Sequence, residues 1–351
     1  MTTINPESKI LITGASGSLG QQIVYELIKA GIKPIVQVRP LSDCTYINSQ
    51  GLENRTADLR RKDQIAQLVD GIDYVIHSAA LVDFRQDRLT QFAGINTIGA
   101  LNLFNAAAKA DVKRFLHVST VAAVGGIKRS TAGKDIDYML VNEESEYNLS
   151  NLKIPYFMTK RAAEDELFKA AKDVDMELVM VNPSIIVAPS RDENEYDKIS
   201  KFFNKLIIPS IPIRVNMVDV RDVAAGTWLV LNKGKNGQRY ILAGDNIKIR
   251  ELALDVSALV GKIPHLVHFP RKFYDVTSRM WEVMRKVTGR SRITYYPDVV
   301  KMLDYDWAFS SRKAHEKLGY NWRSIHVTLT NLLTNNFNDT YLRPNGDNKT
   351  G

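Results

Sequence analysis

Tyr156 and Lys160 stand four positions apart in the run Tyr156-Phe157-Met158-Thr159-Lys160, and Thr120 precedes the tyrosine by 36 positions. Residues four apart share one face of a helix, so the Lys160 ammonium can sit beside the Tyr156 phenol. A nearby positive charge favours the phenolate, and this predicts a Tyr156 pKa below its ordinary value near 10. A phenol tuned in that way exchanges a proton at neutral pH. The hydroxyl of Thr120, or of Ser119 beside it, can donate to the same substrate oxygen and share the charge developing there. The chemistry implied is proton transfer at an alcohol or carbonyl oxygen.

A second group of residues suits binding. Thr13-Gly14-Ala15-Ser16-Gly17-Ser18-Leu19-Gly20 lies between an apolar run and a helix-period segment. Glycines there permit a tight turn and close backbone approach, and the helix start then offers N–H groups to a pyrophosphate. Arg39 follows Val36-Gln37-Val38, 19 positions past Gly20. A carboxylate in that neighbourhood would bond the ribose 2′-hydroxyl of NAD, whereas an arginine accommodates the 2′-phosphate of NADP. Pro40 stiffens the turn after it. No other basic residue occurs from Ser42 to Asn48, so NAD stays open as an alternative. Asp58-Leu59 and Ser78-Ala79-Ala80 complete the set: Asp58 can accept from an adenine amino group, and the small residues let a cofactor lie close. His77 reads as a packed or hydrogen-bonded residue, not a catalyst.

These residues need elements to hold them. Strands are expected at Lys9 to Thr13, Pro34 to Val38, Tyr74 to His77, Arg114 to Val118 and Leu178 to Val181. Helices are expected at Gln21 to Ala30, Gln64 to Val69, Phe92 to Lys109 and Pro155 to Lys172. Strands alternating with helices of this length imply βαβ units, that is, an α/β fold with a parallel sheet covered on both faces. Residues 1–189, with 216–245, are expected to form the dinucleotide-binding domain, and 190–215 with 246–330 a smaller, mostly helical substrate-binding region. Residues 343–351 read as a disordered tail. Segment 262–300 mixes basic and aromatic residues, among them Arg271, Phe273, Tyr274, Arg279 and Trp281. It suits an apolar or aromatic substrate with an anionic handle, a solvated basic face, or a membrane surface.

Composition narrows the classes. The chain has 351 residues, a net charge of +8 and a single cysteine, Cys44, which rules out an intrachain disulfide and a cysteine-clustered metal site. That cysteine usage fits a reducing compartment, with the cytoplasm expected. No apolar run approaches the ~18 residues needed to span a bilayer.

Taken together, these motifs resemble an extended short-chain dehydrogenase/reductase, of the group holding NAD-dependent epimerases and dehydratases, closest to its dihydroflavonol reductase-like branch. Further stretches carry the likeness: Asn96 to Leu103, Asn182 to Pro189 (with Ala188 where the family usually has glycine), Val218 to Ala224 and Asp304 to Tyr320. It spans about residues 8–325. The resemblance implies a Rossmann-type doubly wound sheet, with Thr120, Tyr156 and Lys160 as the catalytic set. It implies cofactor contacts from Gly14, Ser16, Gly17, Ser18, Leu19, Gly20, Arg39, Asp58, Leu59, Ser78, Ala79, Ala80, Tyr156, Lys160, Pro183, Ser184, Ile185 and Ile186, and no metal. Val38-Arg39 is similar to the NADPH-using reductase branch. Dehydratases of the group place an Asp-Glu pair after the catalytic threonine, where this chain has Val121-Ala122. The expected activity is NADP-dependent reduction of a ketone or aldehyde. The alternatives are a nucleotide-sugar epimerase with retained NAD, or a non-catalytic cofactor-sensing protein. The partner expected is a small carbonyl or alcohol, not a nucleic acid. A homodimer through helices 92–109 and 155–172 is also implied.

Overall fold

A computed structural model describes residues 4–40, 45–83, 88–129, 139–189, 207–259, 261, 265–288 and 297–333. The expected tail at 343–351, and residues 190–206 of the expected substrate-binding segment 190–215, lie outside the described residues.

Seven strands form the main sheet: β1 (Ile10–Thr13), β2 (Ile35–Val38), β3 (Asn54–Thr56), β4 (Tyr74–His77), β5 (Arg114–Val118), β6 (Glu177–Pro183) and β7 (Gln238–Leu242). Their spatial order is β7-β6-β5-β4-β1-β2-β3 and every pairing is parallel. This is the Rossmann-type doubly wound α/β fold. Strands buried on both faces need apolar side chains at successive positions, and β1, β2, β4 and β5 are buried throughout. The crossover helices supply the cover. On one face α1 (Ser18–Lys29) packs with α5 (Val220–Lys233) through Ile23, Val24, Leu27, Val223 and Val230. On the other, α2 (Lys62–Leu68), α3 (Ala100–Lys109) and α4 (Pro155–Ala170) bury Ile65, Leu103, Phe104 and Leu167.

Three local features depart from the sequence reading. α1 starts at Ser18, three residues early, because extended Gly17 is its N-cap and the helix begins directly on the glycine turn. The helix expected over 92–109 is a composite: an α-turn at Leu89–Phe92, a π-helical stretch at Ala93–Gly99, then α3. β3 and β7 carry no clear strand signal, since β3 is three residues at a sheet edge and β7 reads Gln-Arg-Tyr-Ile-Leu.

The remaining chain builds beside the sheet's carboxyl end. Arg214–Asp219 pairs antiparallel with Asp245–Lys248 and parallel with Ile185–Val187. Ile127–Lys128 pairs with Tyr305–Asp306, and Ile207–Pro209 with His265–Val267. Helices α6 (Ile249–Leu259), α7 (Arg271–Thr288), α8 (Arg312–Leu318) and α9 (Ile325–Leu333) complete it. No helix among the described residues is long and apolar enough to cross a membrane.

Candidate active site

Register brings Thr13, His77, Val118 and Pro183 to one end of the sheet. The strand order reverses at β1, and the crevice at such a switch point is where open α/β sheets bind ligands. A cleft of about 500 Å³ opens there.

The glycine turn forms its floor. Gly14 has φ +72, and a side-chain carbon on it would lie 2.7 Å from the Ala79 nitrogen. One on Gly20 would meet the Gly14 carbonyl oxygen at 2.1 Å. Both glycines are therefore required by the close packing of turn, helix and strand end. The Thr13 hydroxyl fastens this junction: it accepts from the Ala79 N–H at 3.2 Å and meets His77 Nδ1 at 2.7 Å. With the hydroxyl proton directed at Nδ1, the imidazole proton falls on Nε2. Burial and the Lys160 charge depress the His77 pKa to about 3, so the ring is neutral and structural.

At the end of the cleft that Arg39 borders, Asp58 is held by Arg60, whose Nε donates to it at 2.9 Å. That hydrogen bond leads the causes lowering the Asp58 pKa to about 2, and the Arg39 charge adds to them. Arg39 is exposed at the cleft edge.

At the other end α4 begins with Pro155 at its first turn, which suits proline's missing N–H. Tyr156 and Lys160 share the helix face toward the cleft. Lys160 is fully buried and its Nζ donates to the Val118 carbonyl at 2.6 Å. Thr120 lies two residues past the end of β5 and its hydroxyl reaches Tyr156. Beneath them lies a polar layer that sequence reading missed. Asn182 Nδ2 donates to the Thr120 carbonyl at 2.9 Å and to Glu164 Oε1 at 2.6 Å. Glu164, one turn after Lys160 and wholly buried, pairs with Arg239 at 3.1 Å.

The electrostatics correct one expectation. Burial pushes the Tyr156 pKa up to about 12, with the Thr120 hydrogen bond working against it. The Lys160 charge does not enter this shift, and its Nζ is hydrogen-bonded to the Val118 carbonyl. Lys160 itself is depressed to about 8 by burial, opposed by the Glu164 charge.

The sequence profile of the NAD-dependent epimerase/dehydratase family matches residues 10–243. The chain belongs to that family. It is 26% identical to sterol demethylase protein B of Methylococcus capsulatus, over 88% of this chain and 92% of that one. It is 29% identical to cinnamoyl-CoA reductase 2 of Arabidopsis thaliana, over 67% and 72% of the two chains. Among solved structures, that of gox2253 superposes with a TM-score of 0.78 at 28% identity, covering 93% and 97%. The protein is thus an NAD(P)-dependent oxidoreductase of the extended short-chain dehydrogenase/reductase type.

Its cleft fits a nicotinamide dinucleotide. The hydroxyls of Ser119 and Ser184 are buried without partners among the described residues, and both residues line the cleft. α1 has no side-chain cap, which leaves its first N–H groups for an anion. Gly14, Ser16, Gly17, Ser18, Leu19, Gly20, Arg39, Asp58, Leu59, Ser78, Ala79, Ala80, Thr120, Tyr156, Lys160, Pro183, Ser184 and Ile186 are all brought to it. Ile185 is not. Side chains alternate along Ile185–Val187, so Ile186 faces the cleft and Ile185 points out, 49% exposed. Sequence reading missed Gln37, Arg60, Leu81, Val82, Gln91, Ile95 and Val118 in the lining. Arg60 directly follows Asp58-Leu59, and that adjacency was the available signal. Asn96 stays out of the cleft: its amide clasps the Leu81 backbone at 2.8 and 3.0 Å and reaches the Thr159 hydroxyl at 3.2 Å. Among the described residues no group of three or more His, Cys, Asp or Glu could hold a metal ion.

Proposed function

We propose that this family member is an NADPH-dependent carbonyl reductase with Tyr156 as its general acid. The carrying observation is the distribution of charge along one cleft. Arg39 and Arg60 stand at the adenine-side end, Thr120, Tyr156 and Lys160 at the other, and the one carboxylate among the lining residues is Asp58, beside Arg60. Two guanidiniums suit a 2′-phosphate. Elimination of water needs an acid/base pair near the threonine, and Val121 and Ala122 occupy those places, both buried.

When bound, NADPH supplies the hydride. Thr120 orients the substrate carbonyl by a hydrogen bond to its oxygen. Tyr156, protonated at neutral pH, gives that oxygen its proton as charge develops. Lys160 spends one N–H on the Val118 carbonyl and has two more for the nicotinamide ribose. The single cysteine supports a reducing, cytoplasmic setting, and pairing of two chains through 92–109 and α4 belongs to the same reading.

The test is a panel of ketones and aldehydes followed at the NADPH absorbance, with NADH in parallel, together with the nucleotide released on denaturing the purified protein. NADPH consumed in step with carbonyl, by protein purified free of nucleotide, is the expected result. Near-stoichiometric NAD that survives dialysis would instead make it an epimerase.

A further inference from the structure

α7 is an 18-residue helix whose polar and apolar residues are sharply segregated although its mean hydropathy is low. Its inner side is anchored: Arg271 pairs with Asp304 at 2.9 Å, and Ser278 is fully buried. Asp304 precedes the segment whose Trp307 packs on Phe157, next to Tyr156, so the helix is fixed to the substrate side of the cleft. Its outer side is apolar and open. Phe273, Val276, Met280 and Val283 are 44%, 56%, 60% and 62% exposed. At 100° per residue these four fall within roughly a quarter of the helix circumference. Lys272 and Arg279, seven apart and both exposed, border the stripe along one side.

We propose that this face docks on a membrane surface bearing anionic lipid headgroups. An apolar stripe with a cationic border is the arrangement a helix uses to lie in the interfacial plane: apolar side chains enter the acyl boundary while ammonium and guanidinium groups reach up to phosphates. The charge pattern chooses this occupant over a second copy of the chain, because antiparallel pairing on the stripe would bring the two cationic lines together. The inference stands apart from the reductase reading, since it concerns where the protein resides and not what it reduces.

The experiment is cosedimentation of the full chain with vesicles of phosphatidylcholine containing phosphatidylglycerol, and with phosphatidylcholine alone. Binding to the anionic vesicles is expected to exceed binding to the neutral ones and to fall as salt is raised. Val276→Asp with Val283→Asp should weaken it by about tenfold or more. Lys272→Gln and Arg279→Gln should each weaken it by about fivefold. Circular dichroism and thermal melts of each variant verify folding, and light scattering reports oligomeric state. Equal partition to both vesicles, no partition, or variants that bind like the wild type would overturn the proposal. So would a dimer that the aspartate variants dissociate, which would assign the stripe to a second copy.

Discussion

Tyr156 can donate a proton only while it carries one, and with a pKa near 12 it does so throughout the physiological range. The group that titrates within reach is Lys160, charged below about 8 and neutral above. Carbonyl reduction should therefore be lost as pH rises through about 8, in a kcat/KM profile measured at saturating NADPH. Glu164 opposes the depression of Lys160, so Glu164→Gln should move that alkaline limb to lower pH, and an unmoved limb would detach Glu164 from the lysine. Tyr156→Phe should cut turnover by about 100-fold or more, the scale of a lost general acid, with NADPH affinity kept. Arg39→Ala should weaken NADPH by about 2 kcal/mol, read by titration, and leave NADH nearly unchanged. Tyr156 and Lys160 could be singled out because their spacing is itself the signal, and the fold brings both to the cleft. Glu164 was not: a glutamate one turn beyond a lysine ordinarily marks a solvated helix face, and only the arrival of Asn182 and Arg239 from other strands makes it a buried partner.

The stretch from Leu89 to Lys109 shows what periodicity leaves out. Apolar spacing predicts one continuous helix over Phe92 to Lys109, and the chain does run on without a break. The Asn96 amide nevertheless clasps Leu81, four residues past β4, and touches α4, and the helix widens to π geometry there. Such widened turns are frequent at functional sites. Asn96→Ala would strand the Leu81 N–H and carbonyl, costing about 2 kcal/mol or more in urea unfolding. The glycine turn tests the same junction from its other side. Gly20→Ala places a carbon against the Gly14 carbonyl, so α1 must move off the turn; the expected result is a lower melting temperature together with weaker cofactor binding. The turn was readable because it is local and glycine-dependent. The π-helical latch depends on Asn96, Leu81 and Thr159, which only the folded chain brings together.

At the scale of the molecule, His77 and His117 sit side by side on β4 and β5, ring centres 5.4 Å apart, both buried and neutral. Burial lowers both pKa values, His77 to about 3. In the unfolded chain each takes a proton near pH 6.5, so stability is full above that pH and is lost as pH falls below it, by up to about 1.4 kcal/mol per pH unit for each ring. Asp222, pushed up to about 6 by burial, acts in the opposite sense and offsets part of the loss. Urea unfolding from pH 7.5 to 5 should show the decline, and His117→Phe should roughly halve it; a slope indifferent to that change would place the acid sensitivity elsewhere. Sequence marked His77 as packed, but nothing in it paired the two rings, which lie 40 positions apart and meet through strand register.

That register also sets an order in time. β6 lies between β5 and β7, and 54 residues separate Pro183 from Gln238. At a synthesis rate of about 5–20 residues per second, the ribosome takes roughly 3 to 11 seconds to cross that interval. Throughout it, β6 presents a row of unmatched N–H and carbonyl groups, and until Val220–Lys233 has been made α5 is not there to cover the sheet beside it. An open edge of this kind recruits foreign strands. A nascent chain halted before Gln238 is therefore a target for chaperones and a seed for aggregation, and five residues, Gln238 to Leu242, end that exposure.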